Sequence, residues 1–182
     1  MSVFVAEELS EVLNTKVVIG RINMGLLNRI IIDDVLLDDQ SGQEMLKVTR
    51  LSAKFDIMPF FKGKISISSV QLFGFNINLR KETPDSPPNF KFVLDAFASK
   101  DTVKKENSLD LRINSILIRR GRMSYHVLSE EETPGKFNAK HIQLQNIIAN
   151  ISLKALSKDS LNLGIKRLSL DEKASGFSLK KM

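Results

Sequence analysis

The chain has 182 residues, 42% hydrophobic and 26% charged, a composition that excludes a disordered segment and allows one sizeable core. No apolar run reaches the ~18–20 residues of a transmembrane helix, and Glu7 and Glu8 come too early for a secretory signal. With no cysteine, disulfides, zinc–thiolate sites and thiol catalysis are excluded, and 27 Lys and Arg against 21 Asp and Glu leave a net charge of +6 spread along the chain.

Residues 3–13 predict a short amphipathic helix, with Val5, Leu9, Val12 and Leu13 on one side and Asn14 as its stop. Strands follow over 15–24, 28–38, 44–56 and 64–80, the last with a phase change near Gly74. Between the third and fourth, Pro59 and Gly63 mark a tight bend or helical turn over Phe60 and Phe61. Three of the five prolines make 81–89 a loop, and Phe90, Val93, Leu94 and Phe97 then have helical spacing. That helix would lie over one end of the sheet, so 81–107 forms a loop–helix–loop insertion. Strands return over 109–128, broken near Gly121, and over 136–155 and 160–170, with a turn at 130–135. The final stretch still alternates Phe177 and Leu179, which reads as a segment of a longer repeating protein.

One frame recurs along these strands: Φ-x-Φ-x-x-Φ-x-Φ, where Φ is apolar. It holds Val17, Ile19, Ile22 and Met24; Ile30, Ile32, Val35 and Leu37; Leu46, Val48, Leu51 and Ala53; and Ile65, Ile67, Val70 and Leu72. Later copies hold Leu111, Ile113, Ile116 and Ile118; Phe137, Ala139, Ile142 and Leu144; and Leu163, Ile165, Leu168 and Leu170. At 42% apolar residues, independent placement yields this loose frame about five times in such a chain, and a form with four non-apolar x positions about 0.6 times. The copies starting at Leu46, Ile65, Phe137 and Leu163 meet the stricter form. A side-chain period of two would send Ile113 and Ile116 to opposite faces, whereas an extra residue, a β-bulge, returns both to one face and bends the strand. Bulges at one level across neighbouring strands would curl the sheet around a continuous apolar wall; the other reading is that both faces are partly covered.

Residues for chemistry are sparse. His126 and His141 are far apart and lack ligand-spaced neighbours, so neither reads as a metal or catalytic residue, and His141 reads as solvent-facing. Asp33-Asp34 and Asp38-Asp39 fit a solvated face and turn better than a cation site. Arg119-Arg120-Gly121-Arg122 reads as a solvated strand end rather than an anion site. There is no phosphate-binding glycine loop and no nucleophile elbow. The 11 phenylalanines sit in apolar positions and there is one tyrosine, so nucleic-acid binding lacks its exposed aromatics. An extended apolar wall remains, suited to acyl chains.

Several ordered segments carry a family likeness: Gly-Arg-Ile at 20–22, Ile-Asp-Asp-Val-Leu-Leu-Asp at 32–38, GQEMLKVTRLSAKF at 42–55, GKISISSVQL at 63–72 and Leu-Arg-Lys at 79–81, with a helical stretch at 90–97. Their order resembles the N-terminal region of the TamB branch of the AsmA-like superfamily, over about the first 100 residues. The resemblance implies a periplasmic protein anchored in the inner membrane of a Gram-negative envelope, with a curled β-groove that conducts phospholipid toward the outer membrane. It also implies a link to assembly of outer-membrane β-barrel proteins and autotransporters, and thus a possible β-barrel partner. The family's amino-terminal membrane anchor and its carboxy-terminal partner-binding region lie outside these 182 residues.

The expectation is therefore a single segment, mainly β: an elongated, curved antiparallel sheet with an apolar groove and two short helices. Its function would be non-enzymatic phospholipid transport without cofactor, metal or nucleic acid. The alternative is a scaffold for β-barrel translocation and assembly, whose open edges pair with client strands. Lining candidates are Ile67, Val70, Leu72, Ile113, Ile116, Ile118, Ile142, Leu144, Ile165, Leu168 and Leu170. For each of them the competing role is a sheet core sealed by helices.

Overall fold

A computed structural model describes residues 2–26, 28–56, 65–98, 109–110, 114–156 and 161–180. The alternating segments form one open, curved sheet. Its strands are β1 (Val17–Gly25), β2 (Arg29–Asp38), β3 (Glu44–Asp56), β4 (Ile65–Lys81), β5 (Leu109–Asp110), β6 (Ser115–Val127), β7 (His141–Leu156), β8 (Leu161–Glu172) and β9 (Ser178–Leu179). They lie side by side in chain order, with the two-residue β5 beside the start of β4. β1 and the β8–β9 side are the two edges, so the sheet does not close into a barrel.

One side of β4 departs from the expected antiparallel arrangement: there it pairs in parallel with β5 and then with β6. The connection over 82–114 carries the chain back to the end where β4 began, as a parallel pair requires. It contains the helix α2 (Lys91–Ala98). The leading helix, α1 (Ser2–Leu13), ends at Asn14, whose φ of 48° suits the left-handed stop expected of it. Ala6 of α1 is buried with Val17, Ile19, Leu37 and Met45, and Phe90, Phe92 and Val93 pack on the same cluster. The two helices thus cover one end of the apolar face over β1–β3. Among the described residues no helix is long and apolar enough to cross a membrane.

A second cluster, Val48, Phe75 and Ile147, occupies the middle of that face, with Val35, Leu51, Leu72, Ile118 and Leu170 around it. The frame starting at Phe137 is not a strand in its first half: β7 begins at His141, and Phe137 lies in the preceding turn, 62% exposed. The bend at 57–64, with Phe60 and Phe61, lies outside the described residues.

Candidate functional site

The strand registers show what the skipped beat accomplishes. On β1, β2 and β3 the change of phase falls at Gly20-Arg21, Asp33-Asp34 and Thr49-Arg50, and on β4 and β6 at Phe73-Gly74 and Arg119-Arg120. These pairs lie level with one another. On one side of the break Ile19 faces Val35, Val35 faces Val48 and Val48 faces Phe75. On the other side Ile22, Ile32, Leu51, Leu72 and Ile118 face one another in succession.

The expected two-against-one bulge is therefore not what carries β1 to β3 through this level, although it does occur at Ser68-Ser69 on β4 and at Lys166-Arg167 on β8. An extra residue on one strand alone would slip the register and turn every later side chain to the wrong face. Here each strand carries its extra residue opposite its neighbour's, so the strands kink together and apolar stays opposite apolar. Asp34 (φ 56°), Gly74 (φ 64°), Arg120 (φ 55°) and Asn146 (φ 53°) absorb the turn in the left-handed region. True register shifts occur between Leu37 and Asp38 against β3, between Lys54 and Phe55 against β4, and at several points along β6, β7 and β8.

Two apolar rows result. One runs Ile22, Ile32, Leu51, Leu72, Ile118, Ala149, Leu168; the other runs Met24, Ile30, Ala53, Val70, Ile116, Ile151, Ile165. Seven strands at about 4.8 Å spacing give each row a contour of roughly 29 Å. Beyond the kink a third row runs Ile19, Val35, Val48, Phe75 and reaches Ile147 through Gly121. Gly121 has no side chain because the ring of Phe75 fills its place: a Cβ there would sit 2.5 Å from Cζ. A fourth row runs Val17, Leu37, Leu46, Ile77, Met123, Leu144 and ends at Glu172.

Of the residues expected to line the wall, Val70, Leu72, Ile116, Ile118, Ile142, Leu144, Leu168 and Leu170 are half-buried. Ile165 is 54% exposed, and Met24, at the opposite end of its row, 79%. The side chains of Ile67 and Ile113 lie outside the described residues, so the pair that posed the question most sharply is replaced by the Ile118–Met123 half of β6. Sequence reading missed Ile147, Ala149 and Phe75. Their frames, Ile142-x-Leu144-x-x-Ile147-x-Ala149 and Val70-x-Leu72-x-x-Phe75-x-Ile77, were masked by Ile148 and Phe73 at x positions.

The opposite face is polar at the kink. Arg21, Asp33 and Arg50 are successive cross-strand partners, and Arg50 Nε donates to Asp33 Oδ1 at 2.6 Å, with Arg21 Nη2 3.7 Å from Oδ2. Asp33 is only 5% exposed, not solvated as expected. The Arg50 hydrogen bond, aided by the charges of Arg50 and Arg21 against the cost of burial, holds its carboxyl below the usual range. Arg119 and Arg120 continue this level on β6 rather than closing a strand, and the Arg120 guanidinium lies 5.3 Å from the centre of the Phe73 ring.

Asp39 is likewise buried. Burial alone would raise its pKa, but it accepts hydrogen bonds from Ser41, Asn89 and Gln43 that lower it, and Arg80 Nη2 pairs with it at 2.6 Å. This knot joins the β2–β3 turn to β4 and to the connection leading into α2. His141, expected at the surface, is buried on the polar face at the far end of β6 and β7.

A scan against protein-family models gives no match, and no curated protein matches the chain.

Proposed function

We propose that this sheet binds lipid acyl chains along its apolar rows and serves, within an envelope-spanning protein, to pass phospholipid between membranes. The observation that carries this reading is the continuity of the rows: apolar residues face apolar residues across seven strands on one side of the kink and across six on the other. A roughly 29 Å row exceeds the ~15 Å depth of one bilayer leaflet's hydrocarbon. Among the described residues helices cover only the Val17–Leu37 end, and the residues of the row from Met24 to Ile165, except the buried Ala53, stay partly accessible.

The mechanism is passive. Each buried methylene contributes ~0.8 kcal/mol, so a few hold a chain, while a wall of similar side chains offers no deep minimum to trap it. Head groups remain in water beyond the row ends. The likeness to the TamB branch supports a periplasmic setting with an inner-membrane anchor outside these residues, and no catalytic step or cofactor is required.

The test is organic extraction of the purified protein followed by lipid mass spectrometry, with binding of a fluorescent phospholipid measured alongside. Phospholipid should co-purify, and Ile116→Glu should weaken binding at least about 10-fold through the cost of placing a charge in the row. An outward-facing Arg119→Glu variant should bind as before. Absence of lipid, together with equal binding by Ile116→Glu, would overturn the reading and favour client-strand scaffolding.

A further inference from the structure

The chain's two histidines meet. His126, near the end of β6, and His141, the first residue of β7, are direct cross-strand partners. Their Nδ1 atoms lie 3.1 Å apart. Glu132, from the connection between the strands, places Oε1 3.7 Å from His126 Nδ1, and one ligand atom from each of the three residues falls within 4.8 Å of the others.

We propose that His126, His141 and Glu132 bind a divalent transition-metal ion of the zinc class. The second nitrogen of His141 decides its readiness. Nε2 lies 2.9 Å from the carbonyl oxygen of Glu130, and a carbonyl only accepts, so Nε2 carries the proton. The neutral ring then presents the bare lone pair of Nδ1 to His126. Metal-binding imidazoles are held in this way, the other N–H donated to a carbonyl that fixes tautomer and ring orientation. With metal–nitrogen bonds of ~2.0–2.1 Å, nitrogens 3.1 Å apart subtend about 98° at the ion, close to a tetrahedral angle.

Without an ion, His126 Nδ1–H donates to His141; an ion displaces that proton and takes both lone pairs. A cavity of about 290 Å³, bounded by Glu132, Asn138, His141 and Lys173, leaves room for water as a fourth ligand. The nearby positive charge of Lys140 is paired with Glu130 at 2.6 Å. Two imidazoles and one carboxylate suit zinc and its transition-metal neighbours rather than calcium or magnesium, which take oxygen ligands. Bound there, the ion would staple β6 to β7 and to the turn between them.

The experiment uses the full chain without an affinity tag, stripped with chelator and dialysed. Calorimetric titration with zinc chloride should show one ion per chain, with a higher melting temperature in zinc and no response to magnesium. Glu132→Gln, at an exposed position, should leave the metal-free melting temperature unchanged and weaken zinc binding at least about 10-fold. His126→Gln should weaken it further while keeping the native circular dichroism. Absence of one-to-one binding, or zinc binding that both variants retain at full strength, would overturn the proposal.

Discussion

Replacing Gly121 by alanine tests the packing at the kink. Gly121 has an ordinary φ, so on backbone grounds alone alanine would stabilise the fold by ~0.4–1 kcal/mol through a less free unfolded chain. The structure demands the opposite sign. An alanine Cβ would lie 2.5 Å from Phe75 Cζ and 3.0 Å from Cδ1, against ~3.5–4.0 Å for an unstrained carbon contact. The ring must retreat by about 1 Å. Phe75 is buried together with Val48 and Ile147, so moving the ring disturbs packed neighbours.

Overpacking of this kind costs about 2–3 kcal/mol, a 30- to 160-fold change in the folding equilibrium. In urea, with an m-value of ~2–3 kcal/mol/M, the midpoint should fall by about 1 M with the slope unchanged. Phe75→Leu removes the offending ring edge. The double variant should then be less destabilised than the sum of the singles by at least ~1 kcal/mol, as expected for groups in contact. A Gly121→Ala protein as stable as the parent, or strictly additive effects, would refute the view that a ring takes the place of a side chain in this row.

Three further outcomes follow from the same geometry. Asp34→Gly, at a left-handed position, should raise stability by up to ~1 kcal/mol, whereas Thr49→Gly, level with it on β3 but in ordinary strand conformation, should lower it by about as much; urea midpoints of the two decide. Asp39→Asn leaves Arg80 without its buried partner and should cost about 2–3 kcal/mol by the same assay, below the range for fully buried pairs because Arg80 retains some solvent. Burial works against the charge of Glu172, but hydrogen bonds from the Ser175 hydroxyl and the N–H groups of Ser175, Ala174 and Gln143 outweigh it and hold its pKa at about 2. The unfolded chain, nearer 4.5, binds more protons in that window, so this contribution is complete above about pH 4.5 and is lost as pH falls toward 2. Glu172→Gln should flatten that part of the stability–pH curve, and an unchanged curve would contradict the assignment.

The first three strands were legible because their x-x pairs are polar: Gly20-Arg21, Asp33-Asp34 and Thr49-Arg50 stand out from the apolar positions around them. Farther along, the same device is built from other residues. Phe73 occupies an x position, Gly121 a Φ position, and Ile148 stands beside Ile147, so local pattern pointed instead to Phe137, which is 62% exposed ahead of β7. The parallel β4–β6 pair depends on where the chain returns after residue 81, which alternation does not encode. The shared kink was misread as a bulge for a related reason: whether an extra residue is opposed by another is a property of two strands. The histidine pair escaped notice because its residues, 126 and 141, flank a turn and become neighbours only once β6 and β7 are in register.

The absence of native cysteine allows the most direct test of the acyl-binding face. Single cysteines placed at Ile118, in one of the two seven-strand rows, and at Arg119, on the opposite face, can each carry an environment-sensitive fluorophore. Addition of a phospholipid spin-labelled in its acyl chain should quench the label at 118 saturably and leave that at 119 nearly unchanged. Equal quenching at both positions, or none at 118, would contradict the account.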